Sequence, residues 1–133
     1  MNIYLDIDGV ILTKQGDQMP YLQEFLSTIF DLFPTKVYWL TTHCKDGTTN
    51  WLFKHIDGKL DPINEKFIMR VKPTKWDTLK TEAIDFTKDF LWFDDNVLMV
   101  EQKILQYYKK FDSWVKVEDN LEEITGKLKN TYR

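Results

Sequence analysis

Residues 90–96 read FLWFDDN, four large apolar side chains followed by the adjacent carboxylates Asp94 and Asp95. A short apolar run closed off in this way is the pattern of a buried strand. Two acids at the mouth of such a strand are costly, because like charges repel and loss of water disfavours the ionised form. The arrangement recurs near the start of the chain. Residues 3–12 read IYLDIDGVIL, and there the apolar run ends in Asp6 and Asp8.

Working outward from these two runs, further strands are expected at Val37–Thr41, Lys66–Val71 and Ser113–Val117, beside Ile3–Asp6 and Phe90–Phe93. Helical patterns lie between them. Tyr21, Leu22, Phe25, Leu26, Ile29, Phe30 and Phe33 recur at helical spacing, with Pro20 at the start and Pro34 just past the end. A short helix is expected near Thr49–His55, followed by the turn signals Asp57-Gly58 and Asp61-Pro62. Trp76, Leu79, Ala83 and Phe86 form the stripe of a third helix, and Val97, Val100, Ile104, Leu105 and Tyr108 that of a fourth. Asn120 with Glu123 reads as a capping box opening a last helix through Leu121, Ile124 and Leu128. Strand and helix alternate throughout. The expected fold is therefore α/β: a three-layer, Rossmann-like, five-stranded parallel sheet with helices on both faces and right-handed crossovers. In such folds the ligand crevice lies at the carboxyl ends of the strands. Asp6, Asp8, Thr41, Asp94 and Asp95 all fall there.

The 133 residues suit one domain spanning 1–133. Hydrophobic content of 43% and charged content of 29% are those of an ordinary globular chain, and 15% aromatic content favours a well-packed interior. A net charge of −3 argues against nonspecific nucleic-acid binding. Cys44 is the single cysteine, so no internal disulfide framework exists and a reducing compartment is expected. No apolar run reaches membrane-spanning length, and the first strand leaves no room for a signal peptide. A cytoplasmic location away from membranes is the expectation.

Several carboxylates in one crevice need a counter-charge. Oxygen-only ligands suit magnesium, which commonly uses one or two carboxylates with substrate phosphate and water. The sequence has no histidine and cysteine cluster at zinc spacing. DIDG, residues 6–9, is not a calcium-binding EF-hand loop, since its glycine directly follows the second acid and the closing bidentate Glu is missing.

In this order the motifs resemble those of the haloacid dehalogenase-like superfamily of phosphohydrolases. IYLDIDGV resembles its first motif, an apolar strand followed by Asp-x-Asp-Gly; VYWLTT resembles the second, a strand ending in Thr; FLWFDDN resembles the fourth, a strand ending in two acids. The third motif is a lysine between the second and fourth, and Lys72, Lys75 and Lys80 are candidates. Lys72-Pro73 matches a form seen in many members. Lys80 flanks an apolar stripe, where it must snorkel or find an acid, and DTLK, residues 77–80, resembles the motif of the polynucleotide-kinase phosphatase group. Lys80 is preferred.

The resemblance implies a role for each residue. Asp6 would be the nucleophile that forms an aspartyl-phosphate. Asp8 would be general acid and base, its backbone carbonyl a metal ligand. Thr41, or Thr42 in its place, would bind a phosphoryl oxygen, and Lys80 would balance charge. Asp6 and Asp94 would hold magnesium directly and Asp95 through water. Dehalogenases of the family lack the second acid and its transport ATPases usually carry Thr there, so Asp8 points to phosphatase or phosphotransferase. The spacing leaves no room for a sizeable cap domain. Capless members often act on large substrates or borrow a lid from a neighbouring subunit. The implied partner is thus a phosphorylated substrate, small or macromolecular, with a nucleic-acid end and a homo-oligomer both admitted and neither singled out. The alternative is a non-catalytic relative that keeps the pocket as a magnesium- or phosphate-binding module and acts through protein partners. His43 and His55 read as loop and surface residues, and Cys44 as a small buried hydrophobe.

Overall fold

Side chains alternate between two apolar cores along β1 (Asn2–Leu5), β2 (Val37–Trp39), β3 (Phe90–Asp94) and β4 (Trp114–Lys116) in the computed structural model, which describes residues 1–133. Ile3, Leu5, Val37, Trp39 and Phe93 point into one core, while Tyr4, Phe90 and Trp92 point into the other. This period-2 alternation with both sides apolar is what a parallel sheet covered on both faces requires. All pairings are parallel, in the order β2-β1-β3-β4. Leu5 lies between Trp39 and Phe93, so the central strand β1 opens between its two neighbours.

Five helices flank the sheet: α1 (Leu22–Leu32), α2 (Asn50–Ile56), α3 (Pro62–Ile68), α4 (Met99–Tyr107) and α5 (Leu121–Tyr132). Leu22, Phe25, Leu26 and Ile29 of α1, Ile68 of α3, and Ile124 and Leu128 of α5 fill the larger core, where the Phe25 ring meets Phe93 edge-on at 5.1 Å. On the opposite face Trp76, Ile84, Val97 and Leu105 cover Tyr4 and Trp92. No helix is long and apolar enough to cross a membrane.

The architecture is the expected α/β class, but the sheet has four strands rather than five. The strand expected at Lys66–Val71 is instead the end of α3 and a turn. Pro62 stands at the first helical position, and Asp61 caps the helix by accepting from Asn64 N at 2.9 Å. A short apolar run fits either period, and here the cap and the proline choose the helix. What remains of the fifth strand is a single parallel bridge between Tyr38 and Lys72 at the β2 edge. The helix expected through Trp76 and Phe86 is reduced to one 3₁₀ turn, Lys80–Ala83. Glu82 is the reason: its carboxylate accepts from the backbone N–H groups of Asp77, Thr78 and Leu79, which holds those residues in a turn. The capping box at Asn120 also differs, since its side chain makes no cap bond to α5 and accepts from Glu118 N at 2.7 Å instead.

Candidate functional site

Asp6 and Asp94 leave the sheet as neighbours. The β1–β3 ladder runs one residue past β1, with Asp6 N donating to Phe93 O at 3.1 Å. Between the two carboxylates lies the Lys80 ammonium, Nζ 3.3 Å from Asp6 Oδ2 and 2.8 Å from Asp94 Oδ2. The other oxygens are held by backbone: Ile7 N donates to Asp6 Oδ1 at 2.8 Å and Asn96 N to Asp94 Oδ1 at 3.1 Å. Lys80 is delivered to this place by two glutamates. Glu82 shapes the turn before it. The buried Glu101 of α4 accepts from Lys80 N at 2.7 Å and from Leu98 N at 3.1 Å, tying the lysine turn to the start of α4.

The other lysine candidates go elsewhere. Lys72 Nζ donates to Thr35 O at 2.8 Å, and Lys75 lines an open hollow with Lys45, Trp76 and Asp77. Thr41 is fully buried beside the end of β1, where Leu40 N donates to Leu5 O at 2.7 Å, whereas Thr42 is exposed.

Burial and the neighbouring Asp6 charge push the Asp94 carboxyl up to about 8, against the pull of Lys80. Burial works against the charged form of Lys80, yet Asp6 and Asp94 outweigh it and raise that pKa as well. Both shifts have one origin, an excess of negative charge where water has been withdrawn. Asp6, Asp94 and Asp95 each offer one carboxylate oxygen, all within 4.8 Å of one another. An all-oxygen set with surplus negative charge fits a hard divalent cation such as magnesium. Gly9 makes room for Asp95: its φ is +87°, and a Cβ there would stand 2.4 Å from the Asp95 carboxyl carbon. Beside this group opens a cavity of about 630 Å³, lined by Gly9, Thr13, Lys14, Asp95, Lys116 and Asp119 among others.

Asp8 stands apart from the three acids and has its own partners. His43 Nε2 lies 3.0 Å from its Oδ2 and His55 Nε2 lies 2.9 Å from its Oδ1. The two imidazoles stack, with centroids 3.8 Å apart and planes at 12°. Burial alone would raise the Asp8 pKa, but the hydrogen bonds from His55 and His43 prevail and hold it below the usual carboxylate range. The cluster does not suit a shared metal ion. A ligating imidazole keeps the metal in its ring plane, and two nearly parallel planes share no such point near the rings. Hydrogen bonds to the two oxygens of one carboxylate need no such convergence.

The sequence reading missed both histidines. They are twelve positions apart, one in a loop and one in the last turn of α2, and no local spacing joins them. Glu101 was missed for the same reason, since Lys80 lies 21 positions away, whereas the partners of Glu82 are only three to five positions away and the helical stripe around them masked that local signal. Compared with protein-family models, curated proteins and solved structures, the chain finds no match in any of the three.

Proposed function

We propose that the protein is a magnesium-dependent phosphomonoester hydrolase with a capless haloacid dehalogenase-like core, working through an aspartyl-phosphate on Asp6. The observation that carries this reading is the interlocked set Asp6, Lys80 and Asp94, with Asp95 beside it, at the carboxyl ends of adjacent parallel strands. A phosphoryl group needs an aligned nucleophile and fixed positive charge more than any other help.

In this reading a carboxylate oxygen of Asp6 forms a bond to phosphorus while the ester P–O bond breaks. Asp8 gives its proton to the departing oxygen. In the second half Asp8 takes a proton from water, the water oxygen bonds to phosphorus, and the bond to Asp6 breaks to release phosphate. Lys80 and the Thr41 hydroxyl would hold phosphoryl oxygens. A bound divalent cation, held by Asp6, Asp94, Asp95 and the Asp8 carbonyl, would offset the repulsion between an anionic substrate and an anionic nucleophile. Asp8 is ionised at rest, in the form needed for the second half. An arriving phosphate dianion raises its proton affinity, which favours the acid form for the first half.

Phosphate release from a broad phosphomonoester panel tests this, with magnesium, with chelator, and with Asp6→Asn. Magnesium-dependent release that the variant loses by about a thousandfold or more is the expected result, the scale set by removal of a covalent nucleophile. A folded protein that binds magnesium and releases no phosphate from any substrate would favour a binding module instead.

A further inference from the structure

We propose that His43 and His55 are positioning residues, a stacked pair that fixes the Asp8 carboxylate in one orientation for proton transfer; this rests on the phosphatase reading above. The Asp8 side chain is 53% exposed and sits in the loop after β1, where a carboxylate left alone would rotate freely. Two N–H donors on its two different oxygens remove that freedom. An ionised carboxylate has about four acceptor positions, so two remain for a leaving oxygen or a water.

The backbone that carries each imidazole is itself anchored. The His43 backbone N–H donates to Thr41 Oγ1 at 3.3 Å. The next residue, buried Cys44, donates its thiol to Thr48 O at 3.3 Å, which closes the loop. His55 is carried by α2, whose Leu52 and Ile56 are packed in the larger core. Loop and helix follow one another in the chain and rest on the same core, where Cys44, Leu52 and Ile56 are packed, so both rings stand on one fixed base. A pair of merely exposed histidines would have no reason to stack in register on one carboxylate. Phosphoryl transfer to and from Asp6 gives that register a use, because the proton donor must stay aligned through both halves.

The test compares His43→Phe and His55→Phe, which keep a flat ring without a donor, with His43→Gln and His55→Gln, which return an N–H at similar reach. Each is assayed on an alkyl phosphate, whose leaving group needs a proton, and on p-nitrophenyl phosphate, whose leaving group does not. The Phe variants should lose about tenfold to a hundredfold in kcat/KM on the alkyl ester, a quantity that reports the first half alone, as a share of the usual contribution of general acid catalysis. They should lose little in kcat/KM on the aryl ester and recover with Gln, while hydrolysis of the Asp6 phosphate, common to both esters, lowers kcat on both alike wherever that half is slow. An equal fall in kcat/KM on both esters, or no recovery with Gln, would overturn the proposal. If wild type itself releases no phosphate, the phosphatase reading has failed, and the orientation is judged by imidazole ¹⁵N spectra at neutral pH. Nε2–H donors on both rings that shift in Asp8→Asn would uphold the clamp. Nδ1–H tautomers, or spectra indifferent to Asp8→Asn, would reject it.

Discussion

Lys80 does with one ammonium what the crevice needs done for two carboxylates. Its side chain is only 13% exposed, and no other cation lies within ion-pair distance of Asp6 or Asp94. Replacing it with Met leaves two buried acids facing one another. Lys80 is part of what keeps the Asp94 carboxyl down to about 8, so Lys80→Met holds a proton on Asp94 to higher pH, and its cost in urea denaturation of the metal-free protein, up to about 3–5 kcal/mol as for other broken buried pairs, should grow toward the alkaline end. Near pH 5 the loss should be smaller, because a proton on Asp94 relieves the repulsion. Gly9 works at the same scale through the absence of a side chain. Gly9→Ala forces a methyl group into the Asp95 carboxyl at a positive φ that suits glycine. It should weaken magnesium binding about tenfold or more in a calorimetric titration, the scale of disturbing a group that orients a metal ligand.

At the scale of elements, backbone N–H groups decide where helices stand, and acids decide where those groups are satisfied. Glu82 holds Asp77–Leu79 in a turn, so the apolar stripe around Lys80 never becomes the expected helix. Its carboxyl stays below its usual range through the bonds from Leu79 and Asp77. Asp61 acts the other way and starts α3 where a strand was expected. It also meets Gln18 of the loop after β1, accepting from Nε2 at 3.1 Å and donating its own N–H to Oε1 at 2.9 Å. Asp61→Ala should destabilise the protein by about 0.5–2 kcal/mol, the range of a lost N-cap, in thermal or chemical denaturation. No effect would mean that the proline at the first helical position suffices alone.

The whole molecule carries the electrostatic consequence of gathering acids at one end of its sheet. Asp94 is raised from the ordinary carboxylate value of 3.8 to about 8, so the folded state binds a proton that the unfolded chain releases in that interval. The Asp94 contribution to stability is therefore full below about pH 4 and lost as pH rises to about 8. Metal-free protein should lose stability across that window, and Asp94→Asn should flatten the slope. Magnesium should raise the melting temperature of wild type most at the alkaline end, where Asp94 carries no competing proton. Calorimetry in two buffers of different ionisation enthalpy near pH 7 should detect a proton released as the metal binds. A slope of opposite sign, or no buffer dependence, would mean that Asp94 is already ionised without metal.

Periodicity and chain order determined the α/β class, the parallel sheet and the location of the crevice, because Ile3–Leu5, Val37–Trp39 and Phe90–Phe93 are apolar on both faces and end in polar groups. The same logic placed Asp6 beside Asp94, since side chains at the ends of adjacent parallel strands are neighbours whatever the connections do. Short runs with two readings were not legible. Lys66–Val71 fits helix and strand alike, and one cap and one edge position decided between them. The choice of Lys80 over Lys72 and Lys75 was open for the same reason: a long flexible side chain reveals its partner only once the turn beneath it is built by Glu82 and Glu101. The meeting of His43 and His55 on Asp8 belongs wholly to tertiary structure. The loop after β1, the loop after β2 and α2 converge there, and side-chain contacts of this kind leave no period or spacing in the chain to be read.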